Sequence, residues 1–193
     1  LFIPKEVTSF DVDAWVFLGC EAEAIVVDPE NDVFSSAHNC LLSKDGKKLI
    51  KACKNSDVSK LTSLEIIGQD AFNDLNVERD EFVFRIPDGV KILDYRAFAI
   101  NARNVEIVVP SSVRAIGALA FMIHSDSTHI VFEGDAELEV GAFRTEWEAK
   151  DSDIEVYNSM PSILYPKKEN LTVTCPKDSK VSSYCKKYGI QEV

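Results

Sequence analysis

The chain has 193 residues, of which 46% are hydrophobic and 27% are charged, a balance typical of a folded globular protein. Its net charge of −11 would repel a nucleic-acid duplex or a polyanionic membrane, so we expect neither as a partner. No apolar run approaches the roughly 20 residues that cross a bilayer, and no signal segment opens the chain. Because the first residues, Leu1-Phe2-Ile3-Pro4, already lie inside a structural pattern, we expect the sequence to be part of a longer one.

An internal repeat runs along the chain. An aliphatic residue, usually followed by proline, precedes an Ala-aromatic pair so that the aromatic residue comes 12 positions later (15 − 3, 98 − 86 and 121 − 109). The three clearest copies are Ile3-Pro4 to Ala14-Trp15, Ile86-Pro87 to Ala97-Phe98 and Val109-Pro110 to Ala120-Phe121. Two weaker copies end at Ala71-Phe72, where Lys60-Leu61 replaces Ile-Pro, and at Ala142-Phe143.

Short alternating runs rich in β-branched residues accompany the repeat and predict strands with one buried face. These runs are 82–86, 105–109, 129–132, 154–157 and 171–175. One such unit cannot bury its own apolar side, whereas stacked units can. The pattern therefore predicts a β-rich solenoid of about six or seven coils, with a parallel sheet of short strands and a ladder of aromatic rings inside. The Val-x-x-Ile-Gly step is interpreted as the turn that follows each strand.

Two segments depart from the repeat, and we interpret the whole of 1–193 as one solenoid domain that contains them. Asp45-Gly46, between two apolar runs, predicts a β-hairpin with φ > 0 at both turn residues, within an insertion over about 33–53. Residues 176–193 form a predicted C-terminal cap, because Val181, Tyr184, Cys185 and Tyr188 have the spacing of a short amphipathic helix.

The phrase Ile-Pro-x-x-Val-x-x-Ile-Gly-x-x-Ala-Phe closely resembles the repeat of BspA-type leucine-rich-repeat proteins. The segments from Val27 to Phe34, Leu42 to Ile50 and Thr174 to Ser179 also resemble segments of that family. The resemblance implies a bacterial, secreted or cell-surface protein that takes part in adhesion and binds proteins, including host proteins. It carries no catalytic residues over to this chain. The chain departs from the family pattern near Lys60 and in the degenerate stretch 144–168.

The sequence offers no credible catalytic set, metal site or cofactor motif. His38, His124 and His129 have no carboxylate or thiol beside them at a ligand spacing. The five cysteines, Cys20, Cys40, Cys53, Cys175 and Cys185, show no C-x-x-C spacing. We interpret them as small buried hydrophobic residues, with a Cys40–Cys53 disulfide as the alternative.

The outward face of the predicted sheet is the candidate binding surface. Alternation directs the side chains between the buried positions outward, and the resulting column mixes aliphatic, charged and aromatic groups, as recognition surfaces do. The candidate binding residues are Arg85, Glu106, Val108, His129, Glu155 and Tyr157. The alternative is that this column is only the solvated side of a sheet.

The leading functional hypothesis is a non-catalytic module that binds a protein or peptide ligand on this column. A second hypothesis is a structural spacer within a larger surface protein. A third is a hydrolase whose active site is built from loops, although a nucleophile, a base and an orienting group are not evident together.

Overall fold

The computed structural model of the chain describes residues 1–10, 17, 22–73, 80–145, 148 and 168–193. They form a β-rich, parallel-strand solenoid of about seven turns with one short C-terminal helix, which confirms the predicted fold class.

Two main sheets form faces of the solenoid. The long-strand sheet has the order β16-β15-β13-β10-β7 and is parallel throughout. Its strands are β7 (Glu81–Arg85), β10 (Asn104–Val109), β13 (Ser127–Phe132), β15 (Leu171–Thr174) and β16 (Gln191–Glu192). The short-strand sheet has the order β14-β11-β8-β6-β5-β4-β3. Its strands are β3 (Phe34–Ala37), β4 (Cys40–Ser43), β5 (Lys48–Ala52), β6 (Ile66–Ile67), β8 (Ile92–Leu93), β11 (Ala115–Ile116) and β14 (Glu137–Leu138).

Smaller elements complete the coils. Two parallel strand pairs stand apart from the main sheets: β1 (Phe2–Ile3) with β2 (Val26–Val27), and β9 (Phe98–Asn101) with β12 (Phe121–His124). Single 3-10 turns occur at Val58–Lys60 and Lys168–Asn170, and the helix α1 spans Lys180–Tyr188.

The short-strand sheet corrects one interpretation of the repeat. The Val-x-x-Ile-Gly step was expected only to turn the chain, but it contains a two-residue strand in three successive coils, β6, β8 and β11. These strands pair in parallel and in register, with Ile67 opposite Leu93 and Leu93 opposite Ile116. All three side chains are fully buried, so the step supplies a second wall of the core.

A ladder of phenylalanine rings fills the interior, as predicted. The rings of Phe72, Phe98, Phe121 and Phe143 stack with neighbouring centroids 4.8, 5.9 and 5.4 Å apart and planes within 13°. The alanine before each ring is fully buried, so no larger side chain separates the backbone from the core. Trp15, the fifth expected member, lies outside the described residues.

The residue before each Ala-Phe pair has a left-handed backbone. Its φ is 53° at Asp70, 52° at Arg96, 57° at Leu119 and 87° at Gly141. Only glycine adopts this conformation without a steric cost, which is about 1–2 kcal/mol for other residues. The turn is therefore a property of the backbone that four coils share, although only the last of them uses glycine.

The predicted hairpin insertion is present, but its turns differ from the expected ones. Strands β3, β4 and β5 are antiparallel, and β5 then pairs in parallel with β6. The two-residue turn with positive φ at both positions is His38-Asn39, with φ of 49° and 61°. At the predicted turn only Gly46 has positive φ, because Gly46 N–H donates to the Ser43 carbonyl (2.9 Å) in a longer loop. Asp45 instead accepts hydrogen bonds through its carboxylate.

A buried asparagine ties the first residues to this hairpin. The side-chain amide of Asn31 donates to the carbonyls of Pro4 and Val7, both at 2.9 Å. Its side-chain oxygen accepts from the backbone N–H groups of Val33 (2.9 Å) and Phe34 (2.7 Å). Four hydrogen bonds to one fully buried side chain offset its loss of hydration, and they hold the separate small core around Ile3, Ile25, Val27, Phe34, Leu41 and Cys53.

Gly68 should not tolerate a side chain. A Cβ at this position would lie 2.6 Å from the Leu49 carbonyl oxygen of the neighbouring coil. We expect Gly68→Ala to lower the free energy of unfolding by about 2–3 kcal/mol in urea denaturation, through overpacking. Gly46→Ala is the control, because nothing lies within 4 Å of its Cβ position and only the left-handed backbone costs about 1 kcal/mol. Wild-type stability in the Gly68 variant would contradict this close approach.

The cap is the predicted helix, and its ends have regular capping residues. Ser179 is the N-cap, and its side chain accepts from Ser182 N–H (3.0 Å); Gly189 ends the helix with φ of 63°. The ring of Tyr184 packs edge-on against Phe143, with centroids 5.9 Å apart. The helix thus continues the aromatic ladder by one ring and covers its end.

A buried carboxylate joins the cap to the last coil, and no local sequence pattern indicated it. Glu148 accepts from the backbone N–H groups of Phe143 (3.1 Å) and Thr145 (2.6 Å), from the Thr145 hydroxyl (2.7 Å) and from the Tyr184 hydroxyl. The Tyr184 oxygen also accepts from Gly141 N–H (3.0 Å). Burial raises the pKa of Glu148, and these donors oppose that rise.

The described cysteines are free thiols, including Cys40 and Cys53, so the alternative of a disulfide between them is not realised. Burial raises the pKa of Cys40 to about 11 and that of Cys185 to about 12, whereas Cys175 is only half-buried. We expect a maleimide to label Cys175 first in the native protein, and Cys40 and Cys185 only after unfolding. Peptide mass spectrometry gives the order, and equal labelling rates for all three would contradict the burial described here.

Candidate functional site

The outward face of the long-strand sheet is assembled by the parallel register of four strands. Side chains that alternate with the buried ones form two rows across β7, β10, β13 and β15. The first row is Val83, Glu106, His129 and Thr172, and the second is Arg85, Val108, Val131 and Thr174. The structure therefore brings four of the predicted binding residues onto one face, namely Arg85, Glu106, Val108 and His129.

The exposed fractions of these residues differ from strand to strand. Val83, on the edge strand β7, is 62% exposed, which is unusually high for a large aliphatic side chain. Glu106 and Arg85 are also exposed, whereas Val108 and His129 are half-buried by their neighbours on the face. The surface thus combines accessible apolar, cationic and anionic groups within a few rungs.

Two acidic residues, Glu133 and Asp88, hold Arg85, and neither was among the predicted binding residues. Its guanidinium donates to both carboxylate oxygens of Glu133 (2.6 and 2.9 Å) and to Asp88 (3.0 Å). The hydrogen bonds from Arg85 lower the pKa of Glu133 below its ordinary value. Because Glu133 follows β13, two rungs away, this bidentate pair fixes the arginine over the face. Because Arg85 and Glu133 are 48 positions apart, no local sequence pattern indicated their contact.

His129 is paired with a hydroxyl on the neighbouring strand. Its Nε2 lies 2.9 Å from Thr174 Oγ1, one of the outward residues of β15. No carboxylate among the described residues bonds the other ring nitrogen, so the pair lacks the third member of a nucleophile triad. The described ranges also contain no group of three or more His, Cys, Asp or Glu placed to hold a metal ion.

Two unpaired carboxylates border the exposed valine. Glu106 stands directly opposite Val83 on β10, and Glu81 precedes Val83 by two residues on the same face of β7. Neither carboxylate has an ion pair within the residues that the structure describes, whereas Arg85 is neutralised by Glu133 and Asp88. This part of the face is therefore both apolar and net negative.

Residues 154–157, which were predicted to form a strand of the long-strand sheet, lie outside the described residues. Among the described strands, β13 pairs directly with β15, with Thr128 opposite Leu171. The candidate residues Glu155 and Tyr157 themselves lie outside the described residues.

The chain has a weak similarity to a solved structure. No family model matches the chain, and no curated protein matches it. The crystal structure of the pneumococcal vaccine antigen PcpA is similar with a TM-score of 0.40 and 15% identity, over 100% of this chain and 55% of that chain. The chain thus spans about half the length of PcpA. Within the described residues, none of the helices has the length and apolar character needed to cross a membrane.

Proposed function

We propose that the chain is a non-catalytic module that binds a protein or peptide on the outward face of its long-strand sheet. The observation that carries the proposal is the two-row surface, on which Arg85, Glu106, Val108 and His129 share one side of a parallel sheet. Open faces of solenoid sheets are common binding surfaces, because a rigid backbone presents many side chains at fixed spacing. The proposal includes a secreted or cell-surface location and BspA-type membership, which rest on the resemblance of the repeat.

Selection of peptides against the purified chain tests this proposal. Peptides enriched from a random displayed library are synthesised, and their affinities are measured by fluorescence anisotropy. We expect the triple variant Arg85→Ala, Glu106→Ala and His129→Ala to weaken their binding by about tenfold or more, since truncated contact residues of this kind dominate small interfaces.

A matched triple variant on the other sheet provides the control. Lys47→Ala, Lys91→Ala and Ile92→Ala remove exposed side chains from the outside of the short-strand sheet and should leave the affinities unchanged. Failure of the library to yield binders would contradict the proposal. So would peptides whose affinity drops equally in both triple variants, or in neither.

A further inference from the structure

The long-strand sheet has an open hydrogen-bonding edge at β7. The Asp80 carbonyl accepts from Asn104 N–H (3.1 Å), and Ile86 N–H donates to the Val108 carbonyl (3.0 Å). Because N–H and C=O groups alternate between the two sides of a strand, the even-numbered residues of β7 bond to β10. The N–H and C=O groups of Glu81, Val83 and Arg85 therefore point away from β10.

These edge groups have no backbone partner within the part of the chain that the structure describes. β7 pairs with β10 alone and ends the sheet. In the preceding coil the chain forms the 3-10 turn Val58–Lys60 where another long strand would continue the ladder. The short-strand sheet, by contrast, continues through β6, β5, β4 and β3. Among the described residues, the long-strand sheet therefore ends at β7, whereas the short-strand sheet continues into the preceding coils.

The chemical groups at this edge indicate which kind of peptide segment can bind there. An unpaired strand edge is a template for an extended segment, which satisfies its N–H and C=O groups. On the outward face, Val83 and the unpaired carboxylate of Glu81 lie on β7 itself, and the unpaired carboxylate of Glu106 lies one strand further in, on β10. Arg85 adds no net positive charge, because Glu133 and Asp88 neutralise it. In an added parallel strand that alternates basic and aliphatic residues, the basic side chains would lie on the outward face near Glu81 and Glu106. The aliphatic side chains would lie on the inner face beside Phe82 and Phe84, and the N–H groups of the aliphatic residues would face β7.

We infer that β7 binds an extended, basic peptide by strand addition, so that the peptide becomes the sixth strand of the five-stranded sheet. This inference rests on the proposed function and specifies the mode of binding and the charge of the ligand. It differs from recognition by the outward side chains alone, because the backbone of β7 supplies the main contacts.

The probe is an acetylated, amidated peptide of four alternating Lys-Val pairs, titrated into the full chain and followed by NMR and amide hydrogen exchange. In the free protein the amides of Glu81, Val83 and Arg85 should exchange rapidly, while those of Phe82, Phe84 and Ile86 are protected. With the peptide bound, the first three amides should also become protected. Protection confined to other strands, or none at saturation, overturns the inference.

Two variants of one residue separate backbone pairing from side-chain contact. Val83→Pro removes the N–H that faces the open edge without removing a hydrogen bond to β10, and we expect about tenfold weaker binding. Val83→Thr keeps the N–H and a β-branched side chain of similar size, so it should bind within about twofold of wild type. Circular dichroism verifies that both variants fold, and equal affinities for the two would overturn strand addition.

Attraction by charge alone is tested on the peptide. A version with N-methylated valines has the same charge and side chains but lacks alternate backbone donors, and it should bind about tenfold more weakly. Equal binding of both peptides contradicts the inference. If selected peptides respond to the face triple variant but not to Val83→Pro, strand addition fails and the proposed function survives. Insensitivity to both sets of variants contradicts both proposals.

Discussion

Replacing Phe98 by alanine should lower the free energy of unfolding by about 3–5 kcal/mol. The ring is fully buried and stacks between Phe72 (4.8 Å) and Phe121 (5.9 Å), with Phe84 at 5.7 Å. Its removal forfeits the transfer free energy of the ring, leaves a cavity and interrupts two stacked pairs. Because each coil contacts only its neighbours, the gap separates the two halves of the ladder. Urea denaturation followed by circular dichroism measures the loss.

Phe2 provides the matched control for this substitution. Its side chain is 58% exposed on β1, so Phe2→Ala should change the free energy of unfolding by less than about 0.5 kcal/mol. Similar losses of unfolding free energy in the two variants would contradict the ring ladder as the main source of stability. A Phe98 variant that unfolds in two separate transitions would support it further, because the halves would then unfold independently.

Removing the hydroxyl of Tyr184 should lower the free energy of unfolding by about 2–3 kcal/mol at neutral pH. Tyr184→Phe keeps the ring against Phe143 but deprives the buried carboxylate of Glu148 of a donor. It also removes the hydroxyl oxygen to which the backbone N–H groups of Gly141 (3.0 Å) and Ala142 (3.3 Å) donate. Tyr188→Phe on the same helix is the control, because that hydroxyl contacts Lys187 (2.8 Å) and no buried carboxylate.

The loss of unfolding free energy in Tyr184→Phe, called its deficit below, should increase with pH. Burial raises the pKa of Glu148 above its unfolded value, so the native state holds its proton more tightly and stability falls as pH rises through the folded pKa. The Tyr184 hydrogen bond opposes that rise, and its loss raises the folded pKa further. The deficit should therefore be larger at pH 7 than below the ordinary glutamate pKa. A deficit independent of pH would show that Glu148 does not carry the effect.

The periodic features of the fold were predictable because each is a repeated local signal. The spacing of Phe72, Phe98, Phe121 and Phe143 indicated the ladder, since an aromatic residue at constant intervals has to occupy equivalent places in stacked coils. The cap helix was predicted for a similar reason, because four apolar residues at helical spacing mark one buried side.

Features that depend on pairing between distant residues were not predictable. A two-residue strand such as Ile66–Ile67 is too short for alternation to reveal it, and only its parallel neighbours make it a strand. In the hairpin, Asp45-Gly46 was the stronger turn signal, yet His38-Asn39 adopts the tighter turn.

The candidate site was predicted in part for the same reasons. Alternation sufficed to place Arg85, Glu106, Val108 and His129 on one face, because the register between coils is constant. The partners of these residues could not be predicted from the sequence. Coil stacking, and not proximity in sequence, brings Glu133 to Arg85 and Thr174 to His129. The open edge of β7 was not predictable either, because it depends on the preceding coil adding no strand to this sheet within the described residues.

The left-handed residue before each Ala-Phe pair bears on how such a protein changes through time. Asp70, Arg96 and Leu119 have nearly the same φ but different surroundings, since Asp70 and Arg96 form an ion pair across neighbouring coils (3.1 Å) and Leu119 is buried. The bend therefore constrains the main chain and does not require one type of side chain. Lineages of this architecture can therefore lose recognisable sequence similarity at the bend while conserving the pitch of the coils. Glycine introduced at these positions would relieve backbone strain, but it would also remove the Asp70–Arg96 ion pair or the buried side chain of Leu119, so lost contacts would oppose the gain.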